Sequence, residues 1–183
     1  MNPSFQKLFT RIESQREEML NSVRGLTEEQ FNRSSAPGKW SVAEILSHII
    51  AAERMSLQYI QKKIQGISES KDSGWKEEMK MILLKLSQRI PGIKFKAPRK
   101  VVENTTPYHN LATITTEWDH IRNEFKLFLE KIPDQYVNRM IYKHARVGYL
   151  NMKHGLMFFP RTYLSSHSSD KKTGKPEVNS LSL

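Results

Sequence analysis

The chain has 183 residues, with 29 lysines and arginines against 19 aspartates and glutamates, six histidines and no cysteine, for a formal net charge of +10. This length suits one domain of roughly 100–200 residues. The lack of cysteine excludes a disulfide scaffold, a thiolate-ligated zinc or iron–sulfur site and a cysteine nucleophile.

The charge and hydropathy pattern bears on location and partners. No apolar run reaches the roughly 18 residues that a membrane span needs, and the first residues lack the features of a signal peptide. We therefore expect a cytoplasmic protein with no membrane partner. The excess positive charge lies mainly between residues 67 and 112 and after residue 150, and not on one helical face. This distribution argues against nucleic acid as a partner.

The N-terminal part has the apolar spacing of two helices. Apolar residues recur at steps of three and four over about residues 4–24, which predicts an amphipathic helix. A second helix is predicted over about 41–65, ended by Gly66. At its start, Ser41 and Glu44 have the spacing of a capping box, in which each side chain accepts a backbone N–H of the first turn.

The remaining patterns are also helical. Residues 75–90 carry an apolar stripe that predicts an extra helix, and residues 91–110, with three prolines, are expected to be mostly irregular. A long helix is predicted to end before Pro133, and Asn151 can cap a last helix with apolar residues at 152, 156, 159 and 163. The seam of the long helix comprises Ile114, Trp118, Ile121, Phe125, Phe128 and Ile132.

These elements predict an all-α fold. No segment alternates apolar and polar residues, so no β-strand is predicted. Four or five antiparallel helices with one long connection form a helical bundle. We assign residues 1–167 to the bundle and residues 168–183 to a polar tail rich in serine and lysine, which we expect to be mobile unless a partner orders it.

His48 is the candidate functional residue of the second helix. One interpretation is a histidine at the edge of the core with a satisfied hydrogen bond. The other is a metal ligand that points into the bundle, where neutral imidazole suits zinc, nickel or iron. A single ligand is not a site, because three protein ligands are usually needed.

The other polar and aromatic candidates are assigned structural roles. His109 and His144 are placed in loops, and His120 and His154 are predicted to be exposed. Glu44 is interpreted as a cap and Glu53 as a solvated charge. The three tryptophans are interpreted as packing groups: Trp40, Trp75 and Trp118.

A family resemblance rests on the run from Trp40 to His48, Trp-Ser-Val-Ala-Glu-Ile-Leu-Ser-His. This run resembles the most recognisable stretch of the DinB-like family, and the likeness covers roughly residues 5–160. The resemblance implies an up–up–down–down four-helix bundle with an extra helix in the long connection between helices 2 and 3, and frequent homodimers. Further similarity lies in Lys96-Ala97-Pro98, in residues 118–125 and in Gly148-Tyr149-Leu150-Asn151.

The resemblance also implies a divalent metal held by three histidines. His48 matches the family histidine of the second helix, whereas the other two positions fall near Thr162 and Ser166, which are not usual metal ligands. The resemblance therefore implies a metal-dependent hydrolase or thiol transferase with a degenerate zinc or nickel site at His48. The alternative is a non-catalytic small-molecule-binding or stress-response bundle that has lost the metal centre.

The change in composition after Phe159 has two open explanations. One hypothesis is that the coding frame is altered after Phe159. The other is that the metal site has been lost by drift. In either case we expect a small molecule in the cleft of the bundle and a homodimer as the assembly.

Overall fold

Helices dominate the part of the chain that the computed structural model describes, which comprises residues 1–67, 71–74, 79, 99–144 and 148–156. The predicted all-α class is confirmed, with one small hairpin added. The elements in chain order are α1 (Pro3–Val23), α2 (Glu28–Asn32), α3 (Val42–Ile64), α4 (Arg99–Glu103), α5 (Leu111–Glu130), a 3-10 turn (Asp134–Tyr136), β1 (Met140–His144), β2 (Gly148–Asn151) and α6 (Met152–Leu156).

The first two long helices form where the apolar spacing predicts them, and side chains cap their first turns. The Asn2 side chain accepts the amide of Ser4 at 2.9 Å to start α1. At the start of α3, the Ser41 amide donates to the Glu44 carboxylate at 2.7 Å, and the Glu44 amide donates to the Ser41 hydroxyl at 3.2 Å. The predicted capping box is confirmed, and it fixes the residue at which α3 begins.

The core lies where α3 and α5 pack against α1 and the hairpin. Most of the predicted seam of α5 is buried, and Trp118 has no exposed surface. Leu129 is buried where the sequence favoured Phe128, which is half-buried. Ile132 is also buried, although it follows the last residue of the helix.

The prediction that the chain has no strand is wrong. β1 and β2 pair antiparallel, with His144 opposite Gly148, so His144 lies in a strand and not in a loop. Neither strand sequence, Met-Ile-Tyr-Lys-His or Gly-Tyr-Leu-Asn, alternates apolar and polar residues, so the two-residue period that predicts a strand is missing. Gly148 has a φ of +78°, a conformation that favours glycine at the start of β2.

The hairpin leads directly into α6, and the predicted cap of that helix is confirmed. The Asn151 side chain accepts the amide of His154 at 2.8 Å. Of the extra helix predicted over residues 75–90, only Met79 is described, and it is helical. The end of the last helix and the tail over residues 168–183 lie outside the described residues. Within the stretch 91–110, α4 is a short helix in a segment expected to be mostly irregular.

None of the helices in the described part of the chain is long and apolar enough to cross a membrane.

Candidate functional site

His48 lies in the second turn of α3 and is only 4% exposed. Trp40, just before the cap of α3, lies against it, with 4.9 Å between the ring centroids and an angle of 66° between the ring planes. The indole of Trp40 is 38% exposed, so it lies between the imidazole and solvent. Trp40 therefore packs on the candidate functional ring and at the same time keeps part of its indole exposed.

Thr105, which lies between α4 and α5, is the residue whose hydroxyl is close to the His48 imidazole. Its hydroxyl oxygen lies 3.5 Å from His48 Nδ1 and also donates to the carbonyl of Val101 at 2.8 Å. No other hydrogen bond to the His48 ring is made by the part of the chain that the structure describes. No local sequence pattern singles out Thr105, because its position beside His48 depends on how the connection folds back onto α3.

Residues 105–110 form an irregular segment, here called the strap, that is tied to three helices. The amide of Tyr108 donates to the buried hydroxyl of Ser47 at 3.0 Å, and Asn32 donates to the carbonyl of His109 at 2.7 Å. The Tyr108 hydroxyl donates to Glu117 on α5 at 3.3 Å. These bonds to α2, α3 and α5 hold the strap beside His48.

The electrostatic environment of His48 favours its neutral form. Burial lowers the pKa of His48 from its ordinary value of 6.5, because the charged imidazolium loses hydration in the core. Neutral imidazole is the form that binds a metal ion or accepts a proton. The residue is therefore suited to either role at neutral pH.

The donor set around His48 does not complete a metal site. Among the residues that the structure describes, no group of three histidine, aspartate, glutamate or cysteine side chains is placed to hold a metal ion. The positions implied for two further ligands, Thr162 and Ser166, lie outside the described residues. The described chain thus supplies one imidazole where three protein ligands are usual.

His154 is a second buried histidine, and the prediction that it is exposed is wrong. It is 2% exposed, because α6 packs against α1 on one side and both strands of the hairpin on the other. A helix covered on several sides has no single polar face that apolar spacing can indicate. His120 is exposed, as expected, and His109 lies in the predicted loop before α5.

The sequence also misassigned Glu53, which is 1% exposed and not solvated. One carboxylate oxygen accepts the indole N–H of Trp118 at 2.7 Å, and the other accepts Arg122 at 2.6 Å. Burial raises the pKa of Glu53, and the charge of Arg122 and the bond from Trp118 oppose that shift. The signal was present in the sequence: Glu53 lies four residues from both Ile49 and Leu57, on the apolar stripe of α3.

The charges continue from Glu53 to α1. Arg122 Nε lies 3.4 Å from a carboxylate oxygen of Glu13, which also pairs with Arg16 at 3.1 Å. Arg16 in turn bonds Asp119 on α5. This network joins α1, α3 and α5 and fixes their relative register, which is a structural role.

A shallow cleft of about 180 Å³ lies at the end of the bundle where α1 stops and α5 starts. Small-molecule sites usually have volumes of roughly 300–1,000 Å³, so this cleft is small. His48 is not part of its wall. The lining residues are Val23, Leu26, Glu28, Phe31, His109, Asn110 and Leu111.

The fold and the site define a class: a helical-bundle protein with a neutral, buried histidine on its second long helix, next to an indole and a hydroxyl. Residues 11–159 match the DinB superfamily, and the chain belongs to this superfamily. The resemblance found in the run from Trp40 to His48 is thereby confirmed. No curated protein and no solved structure matches the chain.

Proposed function

We propose that this chain is a non-catalytic, small-molecule-binding member of the DinB superfamily, with a degenerate metal site centred on His48. The observation that carries the proposal is the composition of the site. One buried imidazole lies between an indole and a threonine hydroxyl, and the described residues place no group of metal ligands around it.

The side chains of Trp40 and His48 indicate the kind of ligand. The indole of Trp40 offers a partly exposed aromatic surface, and neutral His48 offers a nitrogen that accepts a hydrogen bond. A small apolar or aromatic molecule that carries one hydrogen-bond donor suits this pair. Displacement of Trp40 from His48 would give such a molecule access to the imidazole.

A second candidate is a metal-dependent hydrolase or thiol transferase in which His48 is one zinc or nickel ligand. It is favoured by membership of the superfamily and by the neutral imidazole. In that case the metal would supply Lewis-acid chemistry. It ranks second because the positions that the resemblance implies for the other two ligands hold Thr162 and Ser166, which are not usual metal ligands.

Metal retention separates the two candidates. The purified protein is loaded with zinc chloride or nickel chloride, desalted and measured for metal per chain, beside His48→Ala and the exposed-histidine control His120→Ala. We expect much less than one metal per chain, with no difference among the three proteins. One metal per chain in the native protein and in His120→Ala, lost in His48→Ala, would overturn the proposal and support the second candidate.

Ligand binding tests the first candidate directly. A library of small aromatic and thiol-bearing fragments is screened by the chemical shift of the Trp40 indole N–H. We expect some fragments to shift this signal in the native protein and to lose that effect in His48→Ala. If no fragment shifts it, or if His48→Ala responds like the native protein, the site is not where we place it.

We also propose that the protein is a cytoplasmic homodimer. The superfamily resemblance supports the dimer. The location is supported by the described helices, none of which is long and apolar enough to span a membrane. Light scattering at micromolar concentration measures the mass directly, and a monomeric mass would contradict the dimer. Cell fractionation tests the location.

A further inference from the structure

The hydroxyl of Thr105 has one proton, and the structure shows where that proton goes. The oxygen lies 2.8 Å from the carbonyl of Val101, which can only accept, so the hydroxyl donates there. The same oxygen lies 3.5 Å from Nδ1 of His48, which is long for a hydrogen bond. Toward the imidazole, therefore, Thr105 has only lone pairs to offer.

We propose that Thr105 is a positioning residue that sets the tautomer of His48, so that neutral His48 carries its proton on Nδ1 and its lone pair on Nε2. If Nδ1 carried the lone pair, two acceptors would face each other in a site with little water. A free histidine side chain favours the opposite tautomer, with the proton on Nε2. The protein therefore has to impose the Nδ1–H form.

The strap holds Thr105 firmly enough for this role. Three residues further along, the Tyr108 amide is bonded to Ser47, the residue next to His48 on α3. The carbonyl of His109 is bonded to Asn32 on α2. Together with the bond from Thr105 to Val101 on α4, these contacts fix both ends of the segment that passes the imidazole.

The tautomer determines what the site can do. A histidine that acts as a ligand or base uses one ring nitrogen, and a bond from the other N–H sets the orientation of the ring. Thr105 thus directs Nε2 of His48 to the incoming ligand. This use of the tautomer rests on the proposed function, but the tautomer is a property of the unliganded chain and can be measured without any ligand.

The test is the nitrogen-15 spectrum of the histidine side chains in the full-length, metal-free protein at a pH about one unit above 6.5. We expect His48 to show a protonated Nδ1 and an unprotonated Nε2. Thr105→Ser, which keeps the hydroxyl, should retain this pattern. Thr105→Val, which has the same shape but no hydroxyl, should lose the single-tautomer pattern and shift His48 toward the Nε2–H form.

Thr115 provides a matched control, because its hydroxyl makes the same bond to a carbonyl four residues earlier on α5, at 2.8 Å. Thr115→Val should leave His48 unchanged. Ser47→Ala releases the strap without altering Thr105 and should weaken the preference of His48 for one tautomer. An Nε2–H form in the native protein, or a Thr105→Val spectrum equal to the native one, would overturn the inference.

The result is independent of the proposed function. If His48 is in the Nδ1–H form but the protein binds neither fragments nor metal, Thr105 stands as a positioning residue and the ligand site is rejected. If fragments bind the native protein and not His48→Ala, but native His48 is in the Nε2–H form, the ligand site stands and the role of Thr105 is rejected.

Discussion

His48 and Glu53 lie five residues apart on α3, and both are buried, but their surroundings differ in the partners they provide. Glu53 has a donor on each carboxylate oxygen, so its charge is compensated within the core. His48 has an indole edge and a distant hydroxyl, so it is more stable without a charge. Glu53 therefore contributes to the fold through an ion pair, and His48 does not.

Replacing Glu53 should destabilise the protein strongly. In Glu53→Gln the side chain keeps its shape but leaves Arg122 without its closest counter-charge in a site that is away from water. Removing one partner of a buried pair costs about 3–5 kcal/mol, and because the contact with Glu13 remains, we expect a loss of about 3 kcal/mol. The measurement is the urea unfolding midpoint at neutral pH.

A surface pair gives the control for this prediction. Glu29 and Arg33 lie 3.7 Å apart with both side chains mostly exposed. Glu29→Gln makes the same chemical change and should not shift the midpoint measurably, because exposed ion pairs contribute little. Equal midpoints for Glu53→Gln and Glu29→Gln would show that the buried network does not stabilise the fold.

Titration of His48 should make stability depend on pH on the acidic side. Its pKa is about 6.5 in the unfolded chain and is lowered by burial in the folded one. As the pH falls below 6.5, the unfolded chain binds more protons than the folded chain, so the free energy of unfolding decreases until the pH passes the folded pKa. Above 6.5 this contribution stays constant.

The slope for one proton is at most about 1.4 kcal/mol per pH unit. Urea unfolding at a series of pH values measures it in the native protein and in His48→Gln. The variant should show a smaller slope below 6.5, since it lacks the titrating group. Identical slopes would mean that the folded imidazole takes up its proton as easily as the unfolded one.

At the scale of elements, the structure separates those fixed by local sequence from those fixed by their neighbours. α3 carries its own start signal at Ser41 and Glu44 and its own apolar stripe, and it forms where both predict. The hairpin has neither a clear alternation nor a length that would be stable alone. It forms because it packs against α3 and α6, and its second strand begins at a glycine with positive φ.

Gly148 is therefore the residue on which the hairpin depends most. A Cβ added there meets no atom within 4 Å, so Gly148→Ala changes only the backbone energy. An L-residue at a φ of +78° costs about 1–2 kcal/mol, and we expect a loss of stability of that size. Thermal unfolding by circular dichroism measures it.

Gly66 is the matched control, because a Cβ there also meets open space and its φ is not positive. Gly66→Ala should be neutral or slightly stabilising, since alanine restricts the unfolded chain. A loss of stability in Gly66→Ala as large as that in Gly148→Ala would show that strain at φ +78° is not the cause.

At the scale of the whole molecule, the all-α fold class could be predicted from the sequence, but the contacts around Glu53 and His48 could not. The apolar steps predict α1, α3 and α5 within a few residues of their bounds, because a long amphipathic helix repeats its signal over several turns. The burial of Glu53 depends on Trp118 and Arg122, and the setting of His48 depends on Thr105. Those partners lie more than fifty residues away, and local spacing contains no information about them.

The domain boundary also belongs to this scale and is a prediction from composition. Residues 168–183 carry no apolar periodicity, so their removal should not affect the core. A chain that ends at residue 167 should melt at the same temperature as the full chain. A fall of about 4 °C, which corresponds to roughly 1 kcal/mol in a protein of this size, would place the boundary elsewhere.

The bond from the Tyr108 amide to Ser47 has a further consequence. Tyr108 belongs to no helix or strand, yet its N–H is held by a hydroxyl that is 1% exposed. Its deuterium uptake should be slow for a residue outside regular secondary structure, and each uptake event would record an opening of the strap away from α3. A single amide signal would thus report how often the wall beside His48 opens, in the resting protein and without any ligand.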